Sequence, residues 1–294
     1  MIFGAMETSK PLSIEKKRGA DGYRNQERWT SQDVVFGFVA LLLCLVLTQA
    51  IWALYIRPNA DAILNAPQRV TNADKADHAV RQLRSPFVIL RDYEQQVSTT
   101  LALWALVMLG RQWRGTTRAR RLLDKNYVTV GEGMVVLPED VRVYSRTIEN
   151  LSPQEQEMFL PRLLTVALTR FGATGRIQDA AEAVRDECEF ESSSQEAKLS
   201  MVRFTAWAIP AVGFVGTVRG IGAALQEAQG AMGGDISGVT LGLGVTFNST
   251  LTALIMTIVV MFWLHQLQQA QDRLVLDSRT YVDRRLLRQM REGK

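Results

Sequence analysis

The chain carries 294 residues, 47% of them apolar, with 34 basic against 30 acidic side chains and a formal net charge of +4. That near balance gives no reason to expect a nucleic-acid partner. Its two cysteines, Cys44 and Cys188, lie too far apart in context to frame a disulfide scaffold, and its two histidines, His78 and His265, have no neighbouring ligand types, so no metal site and no cofactor is expected.

Residues 1–32 are polar and basic, with Lys10, Lys16, Lys17, Arg18, Arg24 and Arg28, and read as a loosely attached tail. They do not read as a signal peptide, because the basic stretch is long and no small-residue cleavage site follows the apolar run. Residues 33–56 form the first apolar run, long enough for a transmembrane helix, with Trp52 and Tyr55 near its end as interfacial aromatics. The basic residues before it place the N-terminus in the cytoplasm. Residues 57–94 are a connector of mixed charge, expected in the periplasm, where Asp74, Lys75, Asp77 and Arg81 suggest a short solvated helix broken by Pro86. Residues 95–112 read as a second, shorter span. Arg91, Asp92 and Glu94 precede it, and Arg111, Arg114, Arg118, Arg120 and Arg121 follow it. A dense basic cluster after an apolar run marks a cytoplasmic flank.

Residues 113–203 hold no membrane-length run and are expected to form a mainly helical cytoplasmic domain. Tyr127 to Leu137 has strand-like residues around Gly131-Glu132-Gly133 and predicts a small hairpin. Pro138-Glu139-Asp140 reads as a helix start, and Ser152-Pro153 as another, with a cap residue followed by proline at the first helical position. Phe159, Leu163, Leu164, Val166, Ala167 and Phe171 give that helix an apolar face, and Gly172 and Gly175 are expected to end it. Residues 177–190 and 195 onward read as helical and run straight into a third span, 204–225. A polar link, 226–239, is expected in the periplasm, and 240–265 is the fourth span. Residues 266–294 read as a cytoplasmic helix continuing that span, with Leu267, Leu274, Val275, Tyr281, Val282, Leu286 and Leu287 on one face. The expected fold class is therefore an all-α membrane protein with four transmembrane helices, a mainly helical domain between spans two and three, and both termini cytoplasmic.

The third and fourth spans are not plain anchors. The third carries Pro210, Gly213, Gly216, Gly220 and Gly222, and the fourth carries Thr246, Asn248, Ser249, Thr250, Thr252 and Thr257. At 100° per residue, Ala206, Pro210, Gly213, Thr217, Gly220 and Ala224 share one stripe, and Thr246, Thr250, Ala253 and Thr257 share another. Asn248 and Thr252 point the opposite way. Small stripes let membrane helices approach closely, and polar groups in such helices face protein or water. The pattern from Ile209 to Ile221, IP-x-x-GF-x-GTV-x-GI, resembles the first pore helix of the MotA/TolQ/ExbB proton-channel family, and Phe247 to Leu254 is similar to the second.

The resemblance implies an inner-membrane subunit of an ion-driven stator or energiser. It implies a homopentamer around two single-span partner helices of the MotB/TolR/ExbD type, whose aspartate carries the proton. It makes Thr217 and Thr250 pore-lining and matches Pro210 to a proline that recurs in the motor branch, and the stripe they share places Thr246 and Thr257 on the same path. It also opens a second use for the Arg111–Arg121 cluster, contact with a cytoplasmic rotor or effector. Other roles remain open for the same residues. Thr217 and Thr250 can bond their own helix backbones, Pro210 can simply kink its helix, and Gly213, Gly216 and Gly220 can serve packing alone. Arg219 departs from the apolar residue common at its place, lies away from Thr217 on the helix, and is expected to reach a headgroup or a neighbouring subunit's carbonyls. No Asp or Glu lies in 204–225 or 240–265, so the chain has the wall of a proton path without its titrating group. A self-contained channel would want a charged filter of its own. A membrane-anchored scaffold or sensor acting through its cytoplasmic domain would want a catalytic or ligand motif in 122–202, and none is found.

Overall fold

The computed structural model describes residues 34–64, 85–125, 127, 135–230 and 237–291. Among them the fold is all helical. Helix α1 spans Val34–Ile63 and contains a π-helical turn at Trp52–Ile56. A short α2, Pro86–Ile89, leads into α3, Tyr93–Leu123. Then come α4, Val141–Glu149, α5, Pro153–Gln156, and α6, Phe159–Thr174. Two long helices follow, α7, Ile177–Gly230, and α8, Ser237–Arg285, and a 3-10 turn, Leu287–Gln289, closes the chain. The basic tail, the expected helix near Asp74–Arg81, the Gly131–Gly133 turn and residues 231–236 of the 226–239 link fall outside the described residues.

Among the described residues, α1, α7 and α8 are long and apolar enough to cross a membrane. The expected second span lies on α3, which forms but does not reach that hydropathy. Polar residues fill its first turns, and Gln95, Gln96, Ser98 and Thr100 are buried there rather than exposed. Gln96 and Thr100 bind α1, which runs antiparallel to α3, while the Gln95 amide and the Ser98 hydroxyl are buried without a partner among the described residues. Trp104 donates to the Gly37 carbonyl at 2.7 Å, Thr48 and Thr100 share a hydroxyl contact at 2.7 Å, and Gln96 donates to Gln49. Near the far end, Trp52 donates to the Leu90 carbonyl at 2.7 Å and Arg57 donates to Gln96 at 2.9 Å. In an apolar layer such bonds replace water, so α3 buries a polar face against a specific neighbour.

The helix boundaries follow the chain chemistry, with several corrections to the expectations. Ser152 caps α5, accepting from the Glu155 amide at 3.4 Å, with Pro153 at the first helical position. The helix expected to run on from there instead breaks at Glu157–Met158. Pro161 has no N–H for the carbonyl four residues back and its ring collides with that carbonyl, so α6 restarts at Phe159. Gly172 does not end α6 but sits inside it against Val141, while Gly175 ends it in the left-handed region, φ 67°. Pro86 begins α2, and the helix it was expected to end lies outside the described residues. The 226–239 link is shortened by helix at both ends, since α7 continues to Gly230 and α8 starts at Ser237. At the C-terminus α8 stops at Arg285, so Leu286 and Leu287 lie beyond it. Met290 then forms an isolated parallel bridge with Val136, which donates to the Gln289 carbonyl at 2.8 Å and accepts from Arg291 at 3.1 Å.

Two apolar cores sit one above the other along α7 and α8. One gathers α4, α6 and the closing turn around Leu163, Leu164 and Phe171, together with Val184 from α7 and Val282 from α8. Leu122, near the end of α3, joins it. Arg162 on α6 adds a polar clamp to α7, donating to Glu187 at 2.6 Å and to Glu191. The other core packs Ala102, Ala105 and Leu109 of α3 against Val202, Ala206 and Ile209 of α7 and Ala253, Val260 and Leu264 of α8. Around this second core the outward residues are Phe204, Trp207, Phe214 and Val218 on α7, and Leu251, Ile255, Ile258 and Phe262 on α8, all exposed. Large apolar side chains facing outward over polar and small ones inward is the arrangement of a lipid-embedded bundle.

Candidate functional site

The antiparallel seam between α7 and α8 is built by three glycines. A Cβ on Gly213 would stand 2.5 Å from the Ala253 methyl, one on Gly216 2.7 Å from the Ser249 hydroxyl, and one on Gly220 would overlap the Thr246 side chain. Only hydrogen at these positions lets the two backbones come this close, which supports the packing role expected of all three. The stripe read from the sequence is the face α7 turns toward α8. Ala206, Gly213 and Ala224 are buried, and Pro210, Thr217 and Gly220 are half-buried. On α8, Thr246 and Ala253 are buried, and Thr250 and Thr257 half-buried. Thr252 is buried too, and Asn248 keeps a buried amide nitrogen with no partner among the described residues. The side of α8 away from the threonine stripe is therefore also covered, because α8 packs on α3 as well as α7.

At the centre of the seam the Gly213 carbonyl gathers hydroxyls. Thr217 donates to it at 3.1 Å from its own helix, Thr250 at 3.0 Å and Ser249 at 3.3 Å from the facing helix. The Thr217 and Thr250 hydroxyls also contact one another. Each hydroxyl has one hydrogen, so the pair has alternative arrangements: both donate to the carbonyl, or one donates to the other. Ser249 has a second choice in the Thr246 carbonyl at 2.8 Å. Thr257, lower on α8, is satisfied by the Ala253 carbonyl at 2.9 Å. Pro210, one turn before Gly213, lacks the N–H that would bind the Ala206 carbonyl. The result is a short track of hydroxyls and loosened carbonyls that can relay hydrogen bonds but holds no group able to keep a proton.

An acid does approach this track, from a helix outside both spans. Arg219 makes a two-pronged ion pair with Glu94 in the first turn of α3, 2.8 Å for each nitrogen–oxygen contact. The Glu94 side chain is 11% exposed, and its Cγ would lie 2.9 Å from a Cβ at Gly216. Arg219 therefore has a partner within the chain that the sequence reading did not name, while 59% of its side chain stays exposed. It ties α7 to α3 within one chain. Next to this pair, burial and the Glu94 charge push the Asp92 carboxyl above its usual range, against the pull of Arg219 and Arg91. Arg91 in turn pairs with Asp61 at 2.9 Å, so the ends of α1, α3 and α7 share one belt of alternating charge. The signal for Glu94 was present in the sequence. A lone arginine in an apolar stretch requires a partner, and Asp92 and Glu94 were the acids flanking the neighbouring run.

The basic cluster is spread along α3. Arg111 stacks over the Phe36 ring of α1, 4.3 Å from its centroid. Arg114 and Arg118 are exposed, as are Arg120 and Arg121 in the last turn.

Residues 155–280, from α5 to most of α8, match the MotA/TolQ/ExbB proton channel family. No curated protein and no solved structure matches the chain. The match takes in the whole α7–α8 seam, with Gly213, Thr217 and Thr250, and one side of the charged belt, Arg219. It leaves out α1 to α3 and therefore Glu94. The apolar helices and this family match together support a membrane protein.

Proposed function

We propose that the chain is the wall-forming subunit of a proton-driven motor or energiser complex in a bacterial inner membrane. In this reading five copies form a ring around two transmembrane helices of a single-span partner, and the partner supplies the titrating aspartate. Thr217 and Thr250 line the ion path with Pro210, Thr246 and Thr257. A proton entering the ring neutralises the partner's aspartate, which then leaves its polar contact at the threonine pair, and ring and core rotate relative to one another. The subunit itself carries out no catalytic step.

The observation that carries this reading is the seam at the Gly213 carbonyl, a hydroxyl track with no carboxylate of its own in either apolar span, 204–225 or 240–265. Proton paths through membranes need Asp, Glu or His as carriers, so a track without one calls for a second chain. Four spans are supported by the course of α3. It starts at Glu94 beside Arg219 and ends at Leu122 in the lower core, so it runs beside α7 and α8 through the same layer. Native mass spectrometry of the complex in detergent tests the proposal. Five copies with a single-span partner are expected. A stable monomer or dimer that conducts protons unaided in liposomes overturns it in favour of a self-contained transporter.

A further inference from the structure

A cavity of about 570 Å³ opens where α3 and α8 end side by side. Four arginines line it, Arg120 and Arg121 from the last turn of α3 and Arg284 and Arg285 from the last turn of α8. Two acids, Asp124 and Asp277, share the lining. They do not neutralise it. Arg120 stands 3.9 Å from Asp277, at the outer limit of an ion pair, and Arg121, Arg284 and Arg285 have no ion-pair partner among the described residues. One wall is fixed. The Tyr281 hydroxyl accepts from the Tyr127 amide at 3.1 Å and donates to the Lys125 carbonyl at 3.3 Å.

Cations in the last turn of a helix complement its macrodipole, and each helix end taken alone is accounted for in that way. The dipoles do not account for two such ends brought together so that four guanidinium groups share one concavity, where each repels the others. A concave wall of one charge focuses its potential on an oppositely charged ligand. The planar fork of arginine matches the oxygens of a phosphate two at a time. The cavity's size falls within the roughly 300–1,000 Å³ of small-molecule sites. We propose that this cavity binds a phosphate-bearing anion of nucleotide or pyrophosphate type, held by Arg121, Arg284 and Arg285 with the Tyr281 ring as its wall.

The position favours a soluble anion over a lipid headgroup. Trp113 and Trp263 meet edge to face, 6.1 Å between centroids, where the apolar parts of α3 and α8 end, the place of interfacial aromatics. Arg120 and Asp277 lie roughly 10 Å and roughly 20 Å farther along their helices at 1.5 Å per residue. The headgroup layer is only roughly 5–8 Å deep on each side.

The inference does not depend on the ion-path reading, and titration calorimetry of the full chain tests it. The chain is placed in phosphatidylcholine nanodiscs, with magnesium-free pyrophosphate and ATP as probes. Binding that weakens with salt is expected, at least tenfold weaker in Arg121→Gln and in Arg284→Gln and unchanged in Arg114→Gln. Both altered arginines are exposed, so the unliganded variants should melt at or above the wild-type temperature as repulsion is relieved. Repeating the titration in phosphatidylglycerol discs separates the sources. Equal affinity supports a soluble phosphate, and weakened affinity supports the same site occupied by a headgroup. Absence of binding by both probes in phosphatidylcholine discs overturns the proposal, as does binding that survives Arg121→Gln/Arg284→Gln/Arg285→Gln.

Discussion

Thr250 has one hydroxyl hydrogen and two acceptors within reach, the Gly213 carbonyl and the Thr217 oxygen. Replacing it with valine keeps the shape and removes that choice. Hydrogen bonds between membrane helices are worth about 0.6–2 kcal/mol, so Thr250→Val should assemble normally and lose ion-driven function, while Thr250→Ser should retain both. Proton flux in proteoliposomes, normalised to assembled complex, makes the comparison, and wild-type flux in the valine variant would reduce Thr250 to a packing residue. Arg219 and Glu94 obey a different logic, because each is costly without the other. Arg219→Gln leaves a mostly buried carboxylate without its cation, and Glu94→Gln leaves the arginine unmatched in an apolar stretch. The double variant removes both charges. A thermal-melt cycle should therefore show each single change destabilising and the pair less destabilising than the sum. With Arg219 59% exposed, the coupling should be on the order of 1 kcal/mol. Strict additivity would mean that the two side chains do not meet in the membrane-embedded protein.

At the scale of elements, the α7–α8 seam is the most demanding contact, since two backbones touch where side chains would normally intervene. Gly213→Ala places a methyl 2.5 Å from the Ala253 methyl, and neither backbone can yield without moving its whole helix. Overpacking of this kind costs about 1–3 kcal/mol. The variant should lower the melting temperature of the solubilised protein, and pairing it with Ala253→Gly should recover most of the loss. Gly222→Ala, with open space around it, serves as the neutral comparison. This seam was legible in the sequence because small residues at helical spacing within an apolar run have few other uses. The ends of α6 were less legible, since Pro161 acts on a carbonyl a turn earlier and Gly172 is spent on packing against Val141 rather than on a cap. The charged belt was least legible. Glu94 and Arg219 are far apart in the chain, and no periodicity within either helix announces that a third helix delivers an acid to the seam.

At the scale of the molecule, α7 and α8 pass without a break from the core that includes Ile209 and Ala253 to the core that includes Val184 and Val282. α7 alone has 54 residues, about 80 Å at 1.5 Å per residue, far more than the roughly 30 Å of a hydrocarbon layer. Whatever moves the seam is thus transmitted down a continuous helix pair to the α4–α6 layer, with no loop between to absorb it. The same continuity fixes a sidedness prediction. The end of α3, the start of α7 and the end of α8 all enter the lower core, so all three must lie on one face of the membrane. By the positive-inside tendency, the arginines at the end of α3 predict that this face is the cytoplasmic one. Asn150, exposed at the end of α4, should therefore take a membrane-impermeant maleimide as Asn150→Cys only after permeabilisation of the cells, whereas Asp77→Cys in the α1–α3 connector should react in intact ones. The native thiols should stay silent: Cys44 is buried in the first span, and burial pushes the Cys188 thiol up to about 11, leaving almost no thiolate at neutral pH. Labelling of Asn150→Cys in intact cells would invert the whole arrangement, turning the α4–α6 layer and the arginine-lined cavity outward and leaving the Arg219–Glu94 belt on the cytoplasmic side.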